Sequence, residues 1–294
     1  MYAFDYQRPT SRDAAKAAAT GGDTRFLAGG QSLIQAMRLR LSQSERLVDL
    51  GAIADLKQIK ADGNGVTIGA MATHASVAAN ADVRRVVPAI AELAGGIADP
   101  MVRNMGTIGG SIANADPAAC YPAGVLAFNA TIHTDRRTIA ADDFFTGLWE
   151  TALQPGELIT AVTFPAAQKA AYVKYKPPAS RFALIGVCVA QTAGGVRVGV
   201  TGAKGHAFRA TEIEKALAKS FTADAAKAVK MPTTDINADL HGSAVKLLAS
   251  AFSISVARNA WPLAPVTPTR TPPAVWATHT PISAKRDACC LYLT

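Results

Sequence analysis

Apolar positions recur at helical or strand spacing through the first part of the chain and divide it into short elements. Residues 13–20 are strong helix formers that stop at a glycine pair, which predicts a first helix. The stretch TRFLAGG, residues 24–30, predicts a short strand that enters a turn, and Leu33, Met37 and Leu41 follow at helical spacing. The chain is therefore expected to begin as a helix, a strand and a second helix.

The next segment alternates between strand and helix patterns before it loses both. RLVDL (46–50) and NGVTIGA (64–70) are predicted strands, and a hairpin-like run of Asp, Gly and Asn precedes the second. Residues 72–98 are mainly helical in pattern, with a break near Pro88. Residues 104–117, NMGTIGGSIANADP, show neither period, which predicts a long ordered loop of the kind that usually carries function.

The second half has the pattern of an antiparallel sheet followed by a helix. The runs AYVKYKPPAS and ALIGVCVAQTAGGVRVGVTGA predict two or three antiparallel strands, and residues 211–229 predict the helix. The longest apolar run, residues 182–190, suits a buried strand and is too short to span a membrane. We place a domain boundary near Pro165. From Val245 onward acidic residues nearly vanish and prolines accumulate, so we expect an irregular tail.

Composition and charge limit the classes of protein that need to be considered. A chain of 294 residues that is 49% hydrophobic and 18% charged is typical of a globular protein with a sizeable core. The net charge of +8 suggests nucleic acid, yet residues 245–294 hold five Lys and Arg against one Asp, which is +4 of the total. The remaining +4 forms no basic cluster interleaved with aromatic residues. We therefore expect no nucleic-acid binding.

The cysteines and the first residues bear on metal sites and location. Cys120, Cys188, Cys289 and Cys290 form no C-x-x-C pair and have no histidine at ligand spacing, so we expect no zinc site and no iron–sulfur cluster in this chain. Reduced cysteines fit a cytosolic protein. The charged start MYAFDYQRPTSRD lacks the apolar core of an export signal, which also predicts a cytoplasmic location.

Two glycine pairs lie beside polar side chains that suit ligand binding. The one called here the first glycine pair is Gly29–Gly30, in AGGQS at residues 28–32, and it precedes a predicted helix. Glycine lets a backbone amide approach an anionic oxygen closely, and the N-terminus of a helix presents free N–H groups, so this stretch suits a phosphate. Ser32 would either cap the helix or donate its hydroxyl to that phosphate. Because the spacing matches neither common nucleotide fingerprint, an ordinary turn is the alternative interpretation.

The second pair lies in GTIGGSIANADP. Thr107, Ser111 and Asn114 offer side-chain donors beside the amides of Gly109 and Gly110. Two such loops, about eighty residues apart, could hold the two ends of an extended dinucleotide. Two unrelated turns are the alternative.

Five motifs in consistent order resemble one family. They are FLAGGQSLIQAMRLRL, LVDLGAIADLKQI, VTIGAMATHASV, IADPMVRNMGTIGGSIANADPAA and PGELITAVTFP. From about Phe4 to Ala244 the chain resembles the FAD-binding medium subunit of molybdenum hydroxylases, the group of bacterial aldehyde oxidases and dehydrogenases, carbon monoxide dehydrogenase and xanthine dehydrogenase. The resemblance implies an α+β fold. A two-part FAD-binding domain of the vanillyl-alcohol-oxidase type (1–165, split near 55) precedes a smaller α+β domain with an antiparallel sheet (166–244) and an atypical Pro-rich basic tail (245–294).

The resemblance also implies which residues bind FAD. The first glycine loop would wrap the pyrophosphate with backbone amides, Leu158 would pack beside the adenine, and Lys174 would lie close to the isoalloxazine. From the sequence alone, Lys174 is equally a solvated strand residue. The implied set is Leu27, Ala28, Gly29, Gly30, Gln31, Ser32, Leu33, Ala72, Thr73, Ile97, Ala98, Thr107, Ile108, Gly109, Gly110, Ser111, Asn114, Asp116, Leu158 and Lys174. No catalytic residue and no metal ligand is expected in this chain.

The chain departs from the family pattern at three places. Cys120 stands where the family usually has an aspartate that contacts a ribose of FAD, and a thiol is a poor substitute for a carboxylate acceptor. Phe182–Ala183 stands where a Tyr-Ala pair is common, which keeps the ring and loses the hydroxyl. The tail replaces an expected charged helix. A changed reading frame and a divergent segment that docks on a partner are the two explanations.

The resemblance implies a heterotrimeric electron-transfer enzyme, most simply an aldehyde oxidase or dehydrogenase. A small subunit with two [2Fe-2S] clusters and a large subunit with a molybdenum cofactor would be the partners, and two heterotrimers could pair. FAD in this chain would accept electrons from the clusters and pass them to an external acceptor. A free-standing FAD-dependent oxidoreductase and an assembly subunit without FAD are the alternatives. Co-export with a signal-bearing partner is the alternative to a cytoplasmic location.

Overall fold

The computed structural model describes residues 1–176 and 184–229. Phe182, Ala183 and the tail from residue 245 onward lie outside the described residues. The helices are α1 (Arg12–Ala18), α2 (Leu33–Arg38), α3 (His74–Ala79), α4 (Ala81–Val86), α5 (Pro88–Gly95), α6 (Pro100–Met105), α7 (Ile108–Asn114), α8 (Tyr121–Phe128), α9 (Ala141–Phe144), α10 (Thr211–Lys219) and α11 (Ala223–Lys227). The strands are β1 (Asp5–Gln7), β2 (Thr24–Leu27), β3 (Arg46–Asp49), β4 (Ile59–Ala61), β5 (Gly65–Gly69), β6 (Thr131–Thr134), β7 (Thr138–Ala140), β8 (Phe145–Gly147), β9 (Glu150–Thr151), β10 (Ile159–Pro165), β11 (Ala167–Tyr175), β12 (Ile185–Thr192), β13 (Gly195–Thr201) and β14 (Phe208–Arg209).

A small parallel sheet opens the chain, in the order β1-β3-β2. The hydroxyl of Ser11 accepts the Ala14 amide at 3.2 Å and caps α1, so the predicted first helix forms as expected. Ala15 of this helix packs with Val48 and Ile53 in a small buried cluster. The sheet thereby fixes the end of β2, from which the first glycine pair continues.

A second, antiparallel sheet of five strands follows, in the order β4-β5-β10-β6-β7. The β4–β5 hairpin turns at Asp62, whose carboxylate accepts the amides of Asn64 and Gly65 at 2.8 Å, as the turn signal predicted. Phe164 of β10 packs edge-to-face on Phe128 of α8, with ring centroids 5.9 Å apart. This contact lies in the main core, which the described helices α3 to α5, α7 and α8 share with the sheet.

A third sheet, antiparallel in the order β11-β12-β13-β14, confirms the strands expected after residue 165. One face packs its valines against Ile213 and Leu217 of α10, and the other face packs on α8, which explains the continuous apolar run of β12. At the end of β13 the Thr201 hydroxyl donates to the Ala119 carbonyl at 2.7 Å. The third sheet therefore supports the segment that precedes α8.

The prediction of a long loop at residues 104–117 is wrong. The segment contains the end of α6 and the whole of α7. Thr107 caps α7, and Ile108 and Ile112 are both fully buried one turn apart, so capping and packing outweigh the low helix propensity of two glycines. The chain passes from the first sheet to the second near residue 55 and from the second to the third near residue 165. The division into domains at these points stays a prediction. No helix among the described residues is long and apolar enough to cross a membrane.

Candidate functional site

A cavity of about 620 Å³ lies between the first glycine pair, helices α6 and α7, and the end of β11. This volume falls within the roughly 300–1,000 Å³ of small-molecule sites. From the predicted set, the cavity is lined by Leu27, Ala28, Gly29, Gly30, Gln31, Ser32, Leu33, Ile97, Ala98, Thr107, Gly109, Gly110, Ser111, Asn114, Asp116, Leu158 and Lys174. Ala72, Thr73 and Ile108 do not line it. Ala72 and Ile108 are buried, and Thr73 caps α3 by accepting the Ser76 amide.

Each glycine pair packs against residues that neighbour the other pair in sequence. A Cβ built on Gly29 would overlap the Met105 carbonyl oxygen and come within 2.8 Å of the Gly106 Cα. A Cβ on Gly110 would lie 3.3 Å from the Ala28 Cβ. The two pairs are therefore one continuous wall of the cavity, and the interpretation as two unrelated turns is wrong.

Helix α7 points its first turn at this wall. The Thr107 hydroxyl accepts the amide of Gly110 at 3.1 Å, and a Cβ on Gly109 would be 2.6 Å from the Ala70 Cβ. The helix therefore begins against β5 with no room for a side chain at its second residue. Its N-terminal end lies at the cavity, and its first amides already have acceptors, since Ile108 donates to the Ala72 carbonyl at 3.1 Å and Gly109 to the Ala70 carbonyl at 2.9 Å.

The start of α2 presents backbone to the same cavity. Gly30 adopts a φ of 68°, a left-handed conformation that costs little only for glycine. Ser32 precedes the helix, but its side chain makes no capping hydrogen bond. Of its two predicted roles, capping is therefore not observed, and the hydroxyl belongs to a residue that lines the cavity.

One wall of the cavity includes the segment of residues 96–98, whose carbonyl oxygens accept hydrogen bonds from two cationic side chains. Arg103 Nη1 donates to the carbonyl oxygens of Ile97 at 2.7 Å and Ala98 at 2.8 Å, while Lys174 Nζ donates to the Gly96 carbonyl at 2.9 Å. Ala98 has a φ of 39°, which is strained for a residue with a Cβ. Arg103 and Lys174 therefore hold this strained backbone in place along the cavity.

Lys174 also reaches Cys120. Its Nζ lies 3.3 Å from the Cys120 Sγ, and both residues line the cavity. Burial, together with the neighbouring Cys120, raises the pKa of Tyr172 on the same strand. Of the two interpretations of Lys174, the solvated strand residue does not agree with the structure, because this lysine is partly buried and bonded to two groups.

Three ionisable residues at the cavity have displaced pKa values. Burial, with a smaller contribution from Arg103, lowers the pKa of His74 to about 4, so its ring is neutral at pH 7. Burial raises the pKa of Asp116. The Arg137 guanidinium lowers the pKa of Glu157 to about 2. The Glu157 carboxylate accepts two hydrogen bonds from Arg137 and one from the Gln154 amide.

Sequence reasoning did not identify several residues that line the cavity. They are Arg25, Phe26, Leu50, Ala70, Met71, His74, Asp99, Val102, Gly106, Ala113, Ala118, Ala119, Leu153, Glu157 and Ile159, whereas Cys120 was singled out as a departure from the family. Several of these residues are adjacent in sequence to predicted residues, and this adjacency could have indicated that they line the cavity. His74 depends on long-range pairing, since Thr73 bridges to Thr107 and the His74 amide bonds the Gly106 carbonyl at 2.9 Å.

Replacing Thr107 with valine is expected to reduce the free energy of unfolding by about 0.5–2 kcal/mol, the usual cost of losing an N-cap. Valine keeps the shape but removes the acceptor of the Gly110 amide. Thr107→Ser keeps that acceptor and serves as the control. Urea unfolding of the three proteins measures the difference, and equal stability of the valine variant would show that the cap is unimportant.

The sequence matches the family described as the FAD binding domain in molybdopterin dehydrogenase over residues 2–167. The carbon monoxide dehydrogenase medium chain of Hydrogenophaga pseudoflava is 35% identical over 258 residues, covering 80% of this chain and 90% of that relative. The glyceraldehyde dehydrogenase medium chain of Sulfolobus acidocaldarius is 37% identical over 224 residues, covering 72% and 80%. The solved carbon monoxide dehydrogenase from H. pseudoflava that lacks the Mo-pyranopterin moiety matches with a TM-score of 0.78 at 34% identity, covering 88% of this chain and 97% of that one.

The fold and the cavity thus define an FAD-binding oxidoreductase subunit with an α+β architecture. The chain belongs to the family of FAD-binding medium subunits of molybdenum hydroxylases. The resemblance, the fold class and FAD as the cofactor of this chain are thereby confirmed. Among the described residues no group of three His, Cys, Asp or Glu is placed to hold a metal ion.

Proposed function

We propose that this chain binds FAD in the 620 Å³ cavity and serves as the electron-transfer subunit of a molybdenum hydroxylase. The observation that carries the proposal is the single wall formed by the two glycine pairs. The missing Cβ atoms let the two pairs pack closely, so that their backbone forms one surface of the cavity, and the helix α7 begins at the same wall. The residues present therefore fit the pyrophosphate of FAD.

Individual residues take distinct roles in this proposal. Gly29, Gly30 and Gly110 approach the pyrophosphate, and Leu158 packs beside the adenine. Lys174 adds a positive charge near the isoalloxazine. Cys120 lies in the cavity where the family usually has an aspartate, so one ribose contact is missing while the rest of the wall is intact. When bound, FAD supplies redox chemistry, receiving electrons and passing them to an external acceptor.

The partners and substrate complete the proposal. A small subunit with two [2Fe-2S] clusters and a large subunit with a molybdenum cofactor supply the electrons, and the assembly is a heterotrimer that forms pairs. An aldehyde is the proposed substrate class, which the similarity to a glyceraldehyde dehydrogenase medium chain supports. Substrate chemistry lies in the large subunit, so we assign no acid or base in this chain.

The visible absorption spectrum of the purified chain tests the cofactor, with the released chromophore identified by mass. A yellow protein that releases about one equivalent of FAD supports the proposal. A colourless protein that FAD cannot reconstitute contradicts it and favours the assembly subunit. Co-purification with two further subunits, assayed with an aldehyde and with carbon monoxide, separates the complex from a free-standing flavoenzyme.

A further inference from the structure

We propose that Cys120 and Lys174 are a modification site, at which hydrogen peroxide oxidises the thiol and the lysine then closes a covalent sulfur–nitrogen bridge. The two atoms concerned, Cys120 Sγ and Lys174 Nζ, already lie 3.3 Å apart. They come from distant parts of the chain, since Cys120 precedes α8 and Lys174 lies on β11. Formation of the bridge therefore requires no rearrangement of the fold.

The surroundings hold the two groups together and give a small oxidant a route to them. The second hydrogen bond of Lys174, to the Gly96 carbonyl at 2.9 Å, restrains the amine beside the sulfur. Cys120 is only 6% exposed, but it lines the cavity, which has room for a molecule the size of peroxide. Cys188 is fully buried and is not among the residues that line the cavity, and burial raises the pKa of its thiol.

The chemistry balances with one peroxide. The thiolate form of Cys120 attacks one peroxide oxygen, so that an S–O bond forms, the O–O bond breaks and hydroxide leaves. Sulfur loses two electrons and the peroxide gains them. The hydroxide takes a proton from the Lys174 ammonium and becomes water. The amine nitrogen then attacks the sulfenic sulfur: the N–S bond forms, the S–O bond breaks, and the hydroxyl leaves as water with a second amine proton.

The bridge would remove the ammonium of Lys174 from the cavity. One thiolate, one ammonium and one peroxide become a neutral bridge and two waters, so the net charge of the pair is unchanged but no cation remains to contact a ligand. The effect on the cofactor rests on the proposed function, since Lys174 is there the cation nearest the isoalloxazine. An FAD that sits beside the bridged pair is expected to bind more weakly than one beside the free ammonium.

Peptide mapping by mass spectrometry tests the bridge on the full chain as purified. After peroxide treatment and alkylation of free thiols, we expect the peptides of Cys120 and Lys174 to be joined, at their summed mass less two hydrogens. The joined product should rise at least tenfold over the untreated chain and disappear with dithiothreitol. Cys120→Ser and Lys174→Arg should lack it, whereas Cys188→Ser should retain it.

Each contrary result is distinguishable. Oxidised Cys120 without a joined peptide, a bridge that retains oxygen, or a joined peptide in Lys174→Arg overturns the inference. Released FAD is measured in the same samples to separate the two proposals. A bridge in a chain that never binds FAD contradicts only the proposed function, and about one equivalent of FAD without a bridge contradicts only the inference.

Discussion

Replacing Gly29 with alanine is expected to weaken FAD binding at least tenfold. The added Cβ would overlap the Met105 carbonyl oxygen and lie 2.8 Å from the Gly106 Cα, both of which are backbone atoms that no side-chain rotation can clear. The two glycine pairs must then move apart. Overpacking of this kind costs about 1–3 kcal/mol, and here that strain falls on the wall that faces the pyrophosphate.

Flavin fluorescence titration measures the predicted loss as an FAD affinity at least tenfold weaker. Gly63→Ala is the matched control, because a Cβ there has no neighbour within 4 Å and the backbone φ is not positive. Its affinity should equal that of the unmodified protein. If Gly29→Ala binds FAD equally well while its circular dichroism is unchanged, the close packing of the two pairs does not shape the FAD site.

Acid is expected to destabilise the protein through Glu157. Its pKa in the folded chain is about 2, below the ordinary 4.5, so the carboxylate stabilises the fold above pH 4.5 and this stabilisation is lost as pH falls toward 2. We expect a loss of about 1–2 kcal/mol, less than the pKa displacement alone corresponds to, because Arg137 is 45% exposed and water screens its charge.

Urea unfolding from pH 7 to pH 2 measures this dependence. Glu157→Gln should be less stable at pH 7 and should show a flatter decline below pH 4.5. Glu212→Gln is the control, since Glu212 is exposed and pairs with Lys215 one turn away on α10. An unchanged acid profile in Glu157→Gln would assign the decline to other carboxylates.

Local patterns predicted the strands β2, β3, β5, β11, β12 and β13 and several helices, but predicted no element in residues 118–165, where α8, α9 and β6 to β10 lie. The valines of β13 alternate because they face α10, while small residues such as Gly199 lie against α8 on the other face, and the uninterrupted apolar run of β12 also follows from burial on two faces. The helix α7 escaped prediction because glycine suppresses helix propensity. The four-residue spacing of Ile108 and Ile112 was present and could have indicated it.

The cavity was predicted in part, and the limits have a physical reason. The glycine pairs were recognisable because glycine is the residue that permits close backbone approach. The neighbours they approach, such as Met105 and Ala70, carry no local signal, since these contacts depend on the tertiary fold. For the same reason, nothing in the sequence indicated that Arg103 donates hydrogen bonds to the carbonyls of residues 97 and 98 or that Lys174 contacts Cys120.

The third sheet sets the size of the smallest fragment that retains the cavity. A fragment that ended at residue 167, where the family match stops, would keep both glycine pairs but omit Lys174. It would also omit Thr201, whose hydroxyl holds the Ala119 carbonyl beside Cys120. The stretch that matches the FAD-binding family is therefore shorter than the part of the chain that builds the complete cavity, and grafting this flavin site into another protein requires the chain at least through Thr201.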